Sequence, residues 1–320
     1  MNKVFFEKKY RLMGVLIAVL LVCMLAGCKS NERKQKQYKF GATYMQMNNP
    51  YFEDMNAHLE ELVEANGDIL ICRDPSQDQE KQNEQILDMI EEGVDGIFLN
   101  PVNWETVEPA LIACKEAGIP LFCVDTLVKD EDYVAFSILS DNYDAGVQCA
   151  KYIMKKKESA KIITIVSPGT NSIIERVRGL EDTIKGHDEY EIVETVEGGG
   201  ELEVSMEVIN DAIKRGVDFD VILGGNDPSA LGALAALQLH QMQDDGILIY
   251  GIDGSPDGKV MINEGYLEGS SAQRPIVMAD KAVEMAYEYM AGKDVEKLVI
   301  VPVTLITKDN IDEFDMAGWQ

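Results

Sequence analysis

The feature that most constrains the fold is a repeated alternation of short apolar strands and amphipathic helices between residues 38 and 306. Each strand pattern ends in a polar residue or a glycine before a helical pattern begins. The strands are apolar throughout rather than alternating, which is typical of parallel strands covered on both faces. The segment 219–234 is the clearest unit, with Gly224, Gly225, Asn226 and Asp227 between its strand and its helix. The alternation predicts an α/β fold with doubly wound parallel sheets.

The alternation runs twice along the chain. The first series extends from the strand pattern at 38–44 to that at 133–139, and the second series begins at 162–166. A length of 320 residues also suits two domains. We therefore predict two successive lobes, related by fold rather than by sequence repetition.

The charge balance excludes one class of partner. Acidic residues outnumber basic residues by 56 to 29, and the formal net charge is −27. Binding to nucleic acid depends on cationic side chains that neutralise phosphates, so we predict no nucleic-acid partner.

Residues 1–28 differ in composition from the rest of the chain. Four basic residues precede or flank the start of an apolar run at 12–25, which ends in Ala26-Gly27-Cys28. This order is typical of a signal peptide. The run would extend only about 21 Å as a helix, whereas the hydrocarbon core of a bilayer is about 30 Å thick, so a permanent membrane span is disfavoured.

Leu25-Ala26-Gly27-Cys28 also resembles the lipobox of bacterial lipoproteins. The resemblance implies that residues 1–27 are a lipoprotein signal peptide and that Cys28 is lipidated. It also implies export to the outer face of the bacterial cell membrane. Residues 28–37 are polar and charged, and we interpret them as a tether.

The remaining cysteines show no metal or redox spacing. Cys72, Cys114, Cys123 and Cys149 lie in or near apolar segments and form no Cys-x-x-Cys pair. We expect them to be buried small hydrophobic residues, and a disulfide between Cys114 and Cys123 is not indicated.

We found no enzyme motif. The sequence has no phosphate-binding Gly-x-x-x-x-Gly-Lys-Ser/Thr, no Gly-x-Ser-x-Gly and no His-Glu-x-x-His. His58, His187 and His240 are the only histidines and are far apart in sequence. We predict that the protein is not an enzyme and binds neither metal nor cofactor.

One segment has the residue spacing of a calcium loop. It runs from Asp253 to Gly258, with Glu264 further on. Asp253 ends an apolar strand rather than a helix, and Pro256 stiffens the loop, so the structural context of a calcium loop is missing.

Polar side chains recur at or just after strand ends, where open α/β sheets bind ligands. Planar amide, carboxylate and guanidinium groups make paired hydrogen bonds that suit neighbouring sugar hydroxyls. Aromatic rings next to them could cover the C–H face of a sugar. The candidate ligand-binding residues are Asn49, Tyr51, Phe52, Asn100, Asp125, Ser140, Arg176, Asn226, Asp253 and Gln273.

Each candidate also has a purely structural explanation. A strand-end Asn or Asp is usually a cap or a turn residue, and Tyr51 and Phe52 could belong to the core. The number of such positions favours a site. For the pair at 226–227 we expect Asn226 to face the ligand and Asp227 to cap its own helix.

These residues also carry a family resemblance. The chain resembles the ribose-binding branch of the periplasmic binding proteins, which have two Rossmann-like lobes. The resemblance covers nearly all of residues 38–306. It lies in Asn48-Asn49-Pro50-Tyr51-Phe52, Leu99-Asn100-Pro101, Val124-Asp125, Ser140-Asp141-Asn142, Arg176-Val177-Arg178-Gly179, Asn226-Asp227-Pro228-Ser229, Gly251-Ile252-Asp253-Gly254 and Ala272-Gln273.

The resemblance implies an architecture and a role. Three hinge strands near residues 140, 273 and 304 would join a first lobe, 38–140 with 274–303, to a second lobe, 141–273 with 304–320. A monosaccharide or sugar-like polyol would be held between the lobes of a monomer. Lobe closure would present it to a membrane ABC permease or, as the alternative, to a sensory histidine kinase. A sugar-responsive repressor would need an N-terminal helix-turn-helix, and the chain has the signal-peptide pattern there instead.

Three positions depart from the ribose pattern. Thr126 follows Asp125 where ribose binders usually carry arginine, and Met45 occupies a position where a small polar residue is common. Glycines 198–200 stand where ribose binders have an aromatic residue over the sugar. We therefore expect an enlarged or reshaped pocket.

Overall fold

The computed structural model describes residues 36–320. The predicted signal peptide, Cys28 and most of the predicted tether lie outside the described residues. Two six-stranded sheets account for the strands of the described range. The first sheet contains β1 (Lys39–Thr43), β2 (Ile69–Arg73), β3 (Gly96–Leu99), β4 (Leu121–Asp125), β5 (Phe136–Ser140) and β11 (Leu298–Val301). The second contains β6 (Ala160–Val166), β7 (Tyr190–Glu197), β8 (Val221–Gly224), β9 (Leu248–Asp253), β10 (Gly269–Ala272) and β12 (Thr304–Thr307).

Helices connect the strands and cover both faces of the sheets. They are α1 (Pro50–Ala65), α2 (Gln79–Glu91), α3 (Glu108–Ala117), α4 (Asn142–Lys156), α5 (Asn171–Ile184), α6 (Leu202–Lys214), α7 (Asp227–Leu239), α8 (Pro256–Glu264) and α9 (Pro275–Met290). The central strands β3, β4, β5 and β8 are buried along their whole length, as their continuous apolar sequences predict. The α/β fold with two doubly wound lobes is confirmed.

Each of the two strand orders contains one reversal of direction. The first sheet has the order β11-β5-β4-β3-β1-β2, and the second has β12-β10-β9-β8-β6-β7. The described pairings are parallel except that β12 runs antiparallel to β10. The order reverses between β1 and β3 and again between β6 and β8, and such reversals form the crevices in which open α/β sheets bind ligands.

The chain passes between the two sheets three times. It crosses after Ser140 at the end of β5, after Ala272 at the end of β10, and between β11 and β12. The sequence predicts one extended segment at 298–306, whereas the structure divides it at Pro302 and Val303. Proline has no N–H to donate to a strand ladder, so pairing with the first sheet stops there.

Helix α8 was not predicted. The sequence indicates a turn at 254–258, but a helix begins at Pro256 and Ser255 caps it by accepting a hydrogen bond from the Gly258 N–H at 3.0 Å. The segment with calcium-loop spacing is therefore a strand end followed by a capped helix. Among residues 36–320, no group of three or more His, Cys, Asp or Glu side chains is placed to hold a metal ion.

Two further sequence features can be located. Cys114, Cys123 and Cys149 are buried as expected, Cys72 is half-buried, and all four thiols are free. Within the part of the chain that the structure describes, none of the helices has the length and apolar character needed to cross a bilayer.

Candidate functional site

The two lobes enclose a cavity, lined by polar and aromatic side chains, where the carboxyl ends of their strands face each other. Eight of the ten predicted ligand-binding residues line this inner cavity. They are Asn49, Tyr51, Phe52, Asp125, Arg176, Asn226, Asp253 and Gln273.

The first lobe contributes two aromatic rings from the start of α1. Asn49 is the N-cap of this helix, and its Oδ1 accepts a hydrogen bond from the Tyr51 N–H at 3.0 Å. The rings of Tyr51 and Phe52 meet edge to face with centroids 5.2 Å apart, and each residue is 3% exposed. The cap thus fixes the helix start so that both rings reach the inner cavity.

Asp125 is the charged residue of the first-lobe side. It ends β4 with φ +70°, a left-handed conformation that is uncommon for residues other than glycine. Its Oδ2 accepts a hydrogen bond from the Asn100 amide at 2.9 Å, while Oδ1 has no hydrogen-bond partner, although the Tyr51 hydroxyl is close enough to influence its pKa. Burial raises the pKa of Asp125, and Arg176 partly opposes this effect.

Arg176 on α5 is the cation of the second-lobe side. It is 3% exposed. Its Nε donates to Asn142 Oδ1 at 2.9 Å and one terminal nitrogen donates to the Gly225 carbonyl at 2.7 Å. That nitrogen also lies 3.9 Å from Asp253 Oδ1. The guanidinium is therefore held in one orientation by its own lobe.

Asp253 and Gln273 form a hydrogen-bonded pair at the ends of β9 and β10. The Gln273 amide donates to Asp253 Oδ1 at 2.7 Å, and the Asp227 N–H donates to Oδ2 at 3.2 Å. Burial and the neighbouring Asp227 carboxylate raise the pKa of Asp253 to about 8, against the lowering effect of Arg176. The Tyr51 hydroxyl donates to Gln273 Oε1 at 3.3 Å, which connects this pair to the first lobe.

The pair at 226–227 divides differently from the prediction. Asn226 is the N-cap of α7: its Oδ1 accepts from the Ser229 N–H at 3.0 Å, and its amide donates to the Gly200 carbonyl at 2.9 Å. The prediction that Asp227 caps its own helix is wrong. Asn226 has the extended backbone that an N-cap requires, whereas Asp227 is already helical.

Asp227 instead fastens neighbouring elements of the second lobe. Its carboxylate accepts hydrogen bonds from the N–H and the hydroxyl of Ser255 at 2.8 and 2.7 Å, and from the Ser270 hydroxyl at 2.5 Å. It is fully buried. Asp227 thereby holds the start of α8 and strand β10 against α7.

Two predicted residues do not line the inner cavity. Asn100 is fully buried behind it, where its side chain accepts from the Met45 N–H at 3.1 Å and donates to Asp125. Ser140 lies at a crossing between the sheets, with its hydroxyl 3.9 Å from the Met278 sulfur. Asn100 orients a cavity residue, whereas Ser140 packs at the crossing.

Sequence reasoning missed several lining residues, namely Gln46, Thr170, Ser172, Ile173 and Gly199. Thr170 is the N-cap of α5 and Ser172 lies in its first turn, after a short loop that follows β6. The strand-end rule, applied to β6 as it was to the other strands, would have found them. Gln46 follows β1 and could have been found in the same way.

The departures from the ribose pattern have distinct structural consequences. Met45 and Gly200 line the inner cavity. Thr126 does not; its hydroxyl accepts a hydrogen bond from the Ser172 N–H at 3.1 Å and so joins the two lobes. Gly200 has φ +77°, and a Cβ there would lie 3.3 Å from the Asn226 amide nitrogen, so glycine suits this position.

Comparison with known proteins agrees with this arrangement. A ribose import binding protein of Bacillus subtilis (strain 168) is 26% identical over 281 residues, covering 87% of this chain and 90% of that protein. The ribose import binding protein of Escherichia coli (strain K12) is 27% identical over 264 residues, covering 82% and 88%. An ABC transporter solute-binding protein from Bacillus halodurans C-125, solved with bound myo-inositol, has a TM-score of 0.80 at 24% identity, covering 87% of this chain and 96% of that one.

A family model described as a periplasmic binding protein domain matches residues 40–294. This family consists of solute-binding proteins rather than enzymes, which agrees with the prediction made from the motifs. The chain therefore belongs to the periplasmic binding protein family, in its ribose and monosaccharide-binding branch.

Proposed function

We propose that this protein binds a monosaccharide or sugar-like polyol between its lobes and delivers it to an ABC permease. The observation that carries this proposal is the inner cavity, where polar and aromatic side chains from both lobes surround one space. The names of the relatives support the ligand class, since they include ribose import and xylitol-binding proteins. The import role in those names favours transport over presentation to a sensor kinase.

The side chains of the inner cavity match the chemistry of a polyol. The carboxylate of Asp125 accepts hydrogen bonds from hydroxyl groups, the carboxyl group of Asp253 exchanges hydrogen bonds with them, and Arg176 donates to hydroxyl oxygens. The charge-assisted hydrogen bonds of Asp125 and Arg176 are stronger than neutral ones. Tyr51 and Phe52 offer apolar ring surface to the C–H groups of the sugar.

Lobe closure couples binding to transport. A ligand that touches both lobes favours the closed arrangement by its differential affinity for that state. Two contacts across the cleft would form on closure: the Trp104 N–H donates to the Gly169 carbonyl at 3.0 Å, and the Ser172 N–H donates to Thr126. The permease would then recognise the closed pair of lobes.

A thermal-shift screen of the purified protein against ribose, xylitol, myo-inositol, arabinose and galactose tests the ligand class. Binding to the folded state stabilises it by mass action, so at least one compound should raise the melting temperature. Asp253→Asn should remove that shift, and Asp245→Asn, an exposed aspartate outside the cavity, should retain it. A flat response to all sugars and polyols would contradict the proposal.

We also propose that the mature protein is a monomer anchored in the membrane through a lipid on Cys28. The support is the order of basic residues, apolar run and Leu25-Ala26-Gly27-Cys28. In a bacterial host, Cys28→Ser should lose fatty-acid labelling and move the protein out of the membrane fraction, whereas Cys23→Ser, within the apolar run, should not. Light scattering of the purified protein should give the mass of one chain.

A further inference from the structure

A second cavity adjoins the inner one at the mouth of the cleft. This outer cavity has a volume of about 460 Å³, whereas the inner cavity has about 30 Å³. The two cavities share four lining residues, Gln46, Asn49, Gly200 and Asp253. Most of the space within reach of the polar side chains therefore lies in the outer cavity. Residues of both lobes line this cavity.

On its second-lobe side, the boundary between the two cavities is formed by Gly200, which has no side chain, and by Asp253. Gly199 and Gly200 have φ values of +63° and +77°, a backbone conformation that other residues seldom adopt. A larger residue here would place a wall between the cavities. The glycines leave a ligand group in the inner cavity free to continue outwards.

Trp319 provides apolar surface on the wall of the outer cavity. Its indole nitrogen donates to Asp54 Oδ2 at 2.6 Å, and its ring lies edge to face with Tyr51, with centroids 5.3 Å apart. An indole fixed in this way loses little conformational freedom when a ligand packs against it. Tyr51 in turn lines the inner cavity, so Trp319 connects the walls of the two spaces.

The second lobe holds the segment that carries Trp319. Lys259 on α8 is fully buried, and its ammonium donates to the backbone carbonyls of Asp315 and Gly318. The C-terminal segment is thus fixed to the second lobe while its tryptophan packs on the first. Leu202 and Leu231 add further apolar lining from the second lobe.

The charge of the outer cavity restricts the ligand. Its charged lining side chains are all acidic: Glu201, Glu203, Asp253 and Asp257. Carboxylates repel phosphate or carboxylate groups on a ligand. Hydroxyl groups can donate to them, so the lining suits a neutral carbohydrate.

We propose that the ligand of this protein is a neutral glycoside or disaccharide, with one sugar ring held by the side chains of the inner cavity, which at about 30 Å³ must widen to admit it, and its substituent or second ring in the outer cavity against Trp319. This inference rests on the proposed sugar-binding function and specifies the size and charge of the substrate. A ring or aglycone that packs on a fixed aromatic surface adds binding free energy that the parent monosaccharide cannot gain.

Calorimetric titration with matched compounds tests the inference. The pairs are glucose with cellobiose, maltose and methyl β-glucoside, galactose with lactose and melibiose, and xylose with xylobiose, with glucose 6-phosphate as the anionic probe. For at least one pair, the glycoside should bind about tenfold tighter than its parent. This is the gain in affinity expected when one additional group of the ligand packs against Trp319. Glucose 6-phosphate should bind more weakly than glucose.

Variants test whether the tighter binding of a glycoside depends on the outer cavity. Leu202→Trp fills the outer cavity and Trp319→Ala removes its aromatic wall, so each should bring the affinity ratio of glycoside to parent close to one. Tyr266→Ala removes an exposed aromatic side chain that lines neither cavity and should keep the ratio. Circular dichroism confirms that each variant is folded.

The alternative outcomes are distinguishable. If monosaccharides bind and no glycoside binds more tightly, the inference is overturned and the sugar-binding function stands. Tighter binding of glucose 6-phosphate than of glucose, or a glycoside advantage that survives Leu202→Trp and Trp319→Ala, would also overturn it. If nothing in this set binds although a compound of the thermal-shift screen does, only the inference fails; if no compound of either set binds, both the function and the inference fail.

Discussion

The two sides of the inner cavity are built on different principles. On the second-lobe side, Arg176, Asn226 and Asp253 are each hydrogen-bonded to their own lobe or to the crossing residue Gln273. On the first-lobe side, two aromatic rings accompany Asp125, one of whose carboxylate oxygens has no hydrogen-bond partner.

The difference assigns separate tasks to the two lobes. A polar network that is already paired keeps its geometry without a ligand, so the second lobe presents a prearranged surface. In the first lobe, one carboxylate oxygen of Asp125 remains available to accept a hydrogen bond from the ligand, and the rings of Tyr51 and Phe52 cover the ligand. Changes on the second-lobe side should therefore cost both stability and binding, whereas changes on the first-lobe side should cost mainly binding.

Arg176→Ala should have the largest effect. It removes a buried cation beside Asp253, and loss of one partner of a buried charged pair typically costs about 3–5 kcal/mol. We expect a loss of that order in the free energy of unfolding, measured by urea denaturation, and no detectable sugar binding.

Arg178→Ala on the same helix is the matched control. Its side chain is 55% exposed and pairs with Glu175 at 2.6 Å, and exposed ion pairs contribute about 1 kcal/mol or less. Equal losses in the free energy of unfolding for the two arginine variants would contradict the claim that Arg176 belongs to a prearranged network.

Asp125→Asn should weaken binding without loss of stability. The amide keeps the shape of the side chain and an acceptor for Asn100, but it removes a buried charge whose pKa is raised by burial. We expect affinity to fall by about one to two powers of ten, as for the loss of a charge-assisted hydrogen bond. The melting temperature of the ligand-free protein should stay the same or rise, and a clear fall would break the comparison between the lobes.

The second-lobe network should also make stability depend on pH. The pKa of Asp253 rises from 3.8 to about 8 on folding because of burial and Asp227, with Arg176 opposing. The folded state therefore holds a proton that the unfolded state releases between these values, so the stabilisation is complete below about pH 4 and is lost as pH rises through about 8.

Urea denaturation of the ligand-free protein at several pH values measures this effect. The free energy of unfolding of the wild type, relative to that of Asp253→Asn, should decrease from about pH 5 to about pH 8. Asp227 lies next to Asp253 and helps to raise its pKa, so the comparison reports the titration of the Asp253–Asp227 pair. A difference that is independent of pH would contradict the assignment.

Tyr51→Phe should have the smallest effect. It retains the ring that contacts Phe52 and Trp319 and removes only the hydroxyl that donates to Gln273 at 3.3 Å. A neutral hydrogen bond contributes about 0.5–1.5 kcal/mol, so affinity should fall by no more than about tenfold. Titration of this variant beside Tyr51→Ala, which also removes the ring, separates the two contributions.

The fold could be predicted because its determinants are local and repeated. Continuous apolar strands and intervening amphipathic helices specify parallel sheets without knowledge of tertiary contacts. Helix α8 escaped prediction because Ser255, Pro256 and Gly258 are turn residues in isolation, and only the capping hydrogen bond shows that they begin a helix.

The candidate site was predictable in position and less so in detail. Sequence reasoning located eight of the lining residues, five of them by the strand-end rule, but that rule could not tell a residue in the cavity from one behind it, as Asn100 shows. Nor could it assign the cap at 226–227, because Asn and Asp both suit N-caps and the backbone angles decide between them. The outer cavity depends on Trp319, which lies far in sequence from every other lining residue. Only the folded structure brings them together.

The central claim is that both lobes grip one ligand in the inner cavity, and a calorimetric double-mutant cycle tests it most directly. Asp125→Asn represents the first lobe and Asp253→Asn the second, and each should weaken binding of the identified sugar by at least about tenfold. Because closure requires both sides, the double variant should lose less than the sum of the two losses in binding free energy. Normal affinity in either single variant, with the fold intact by circular dichroism, would contradict the account.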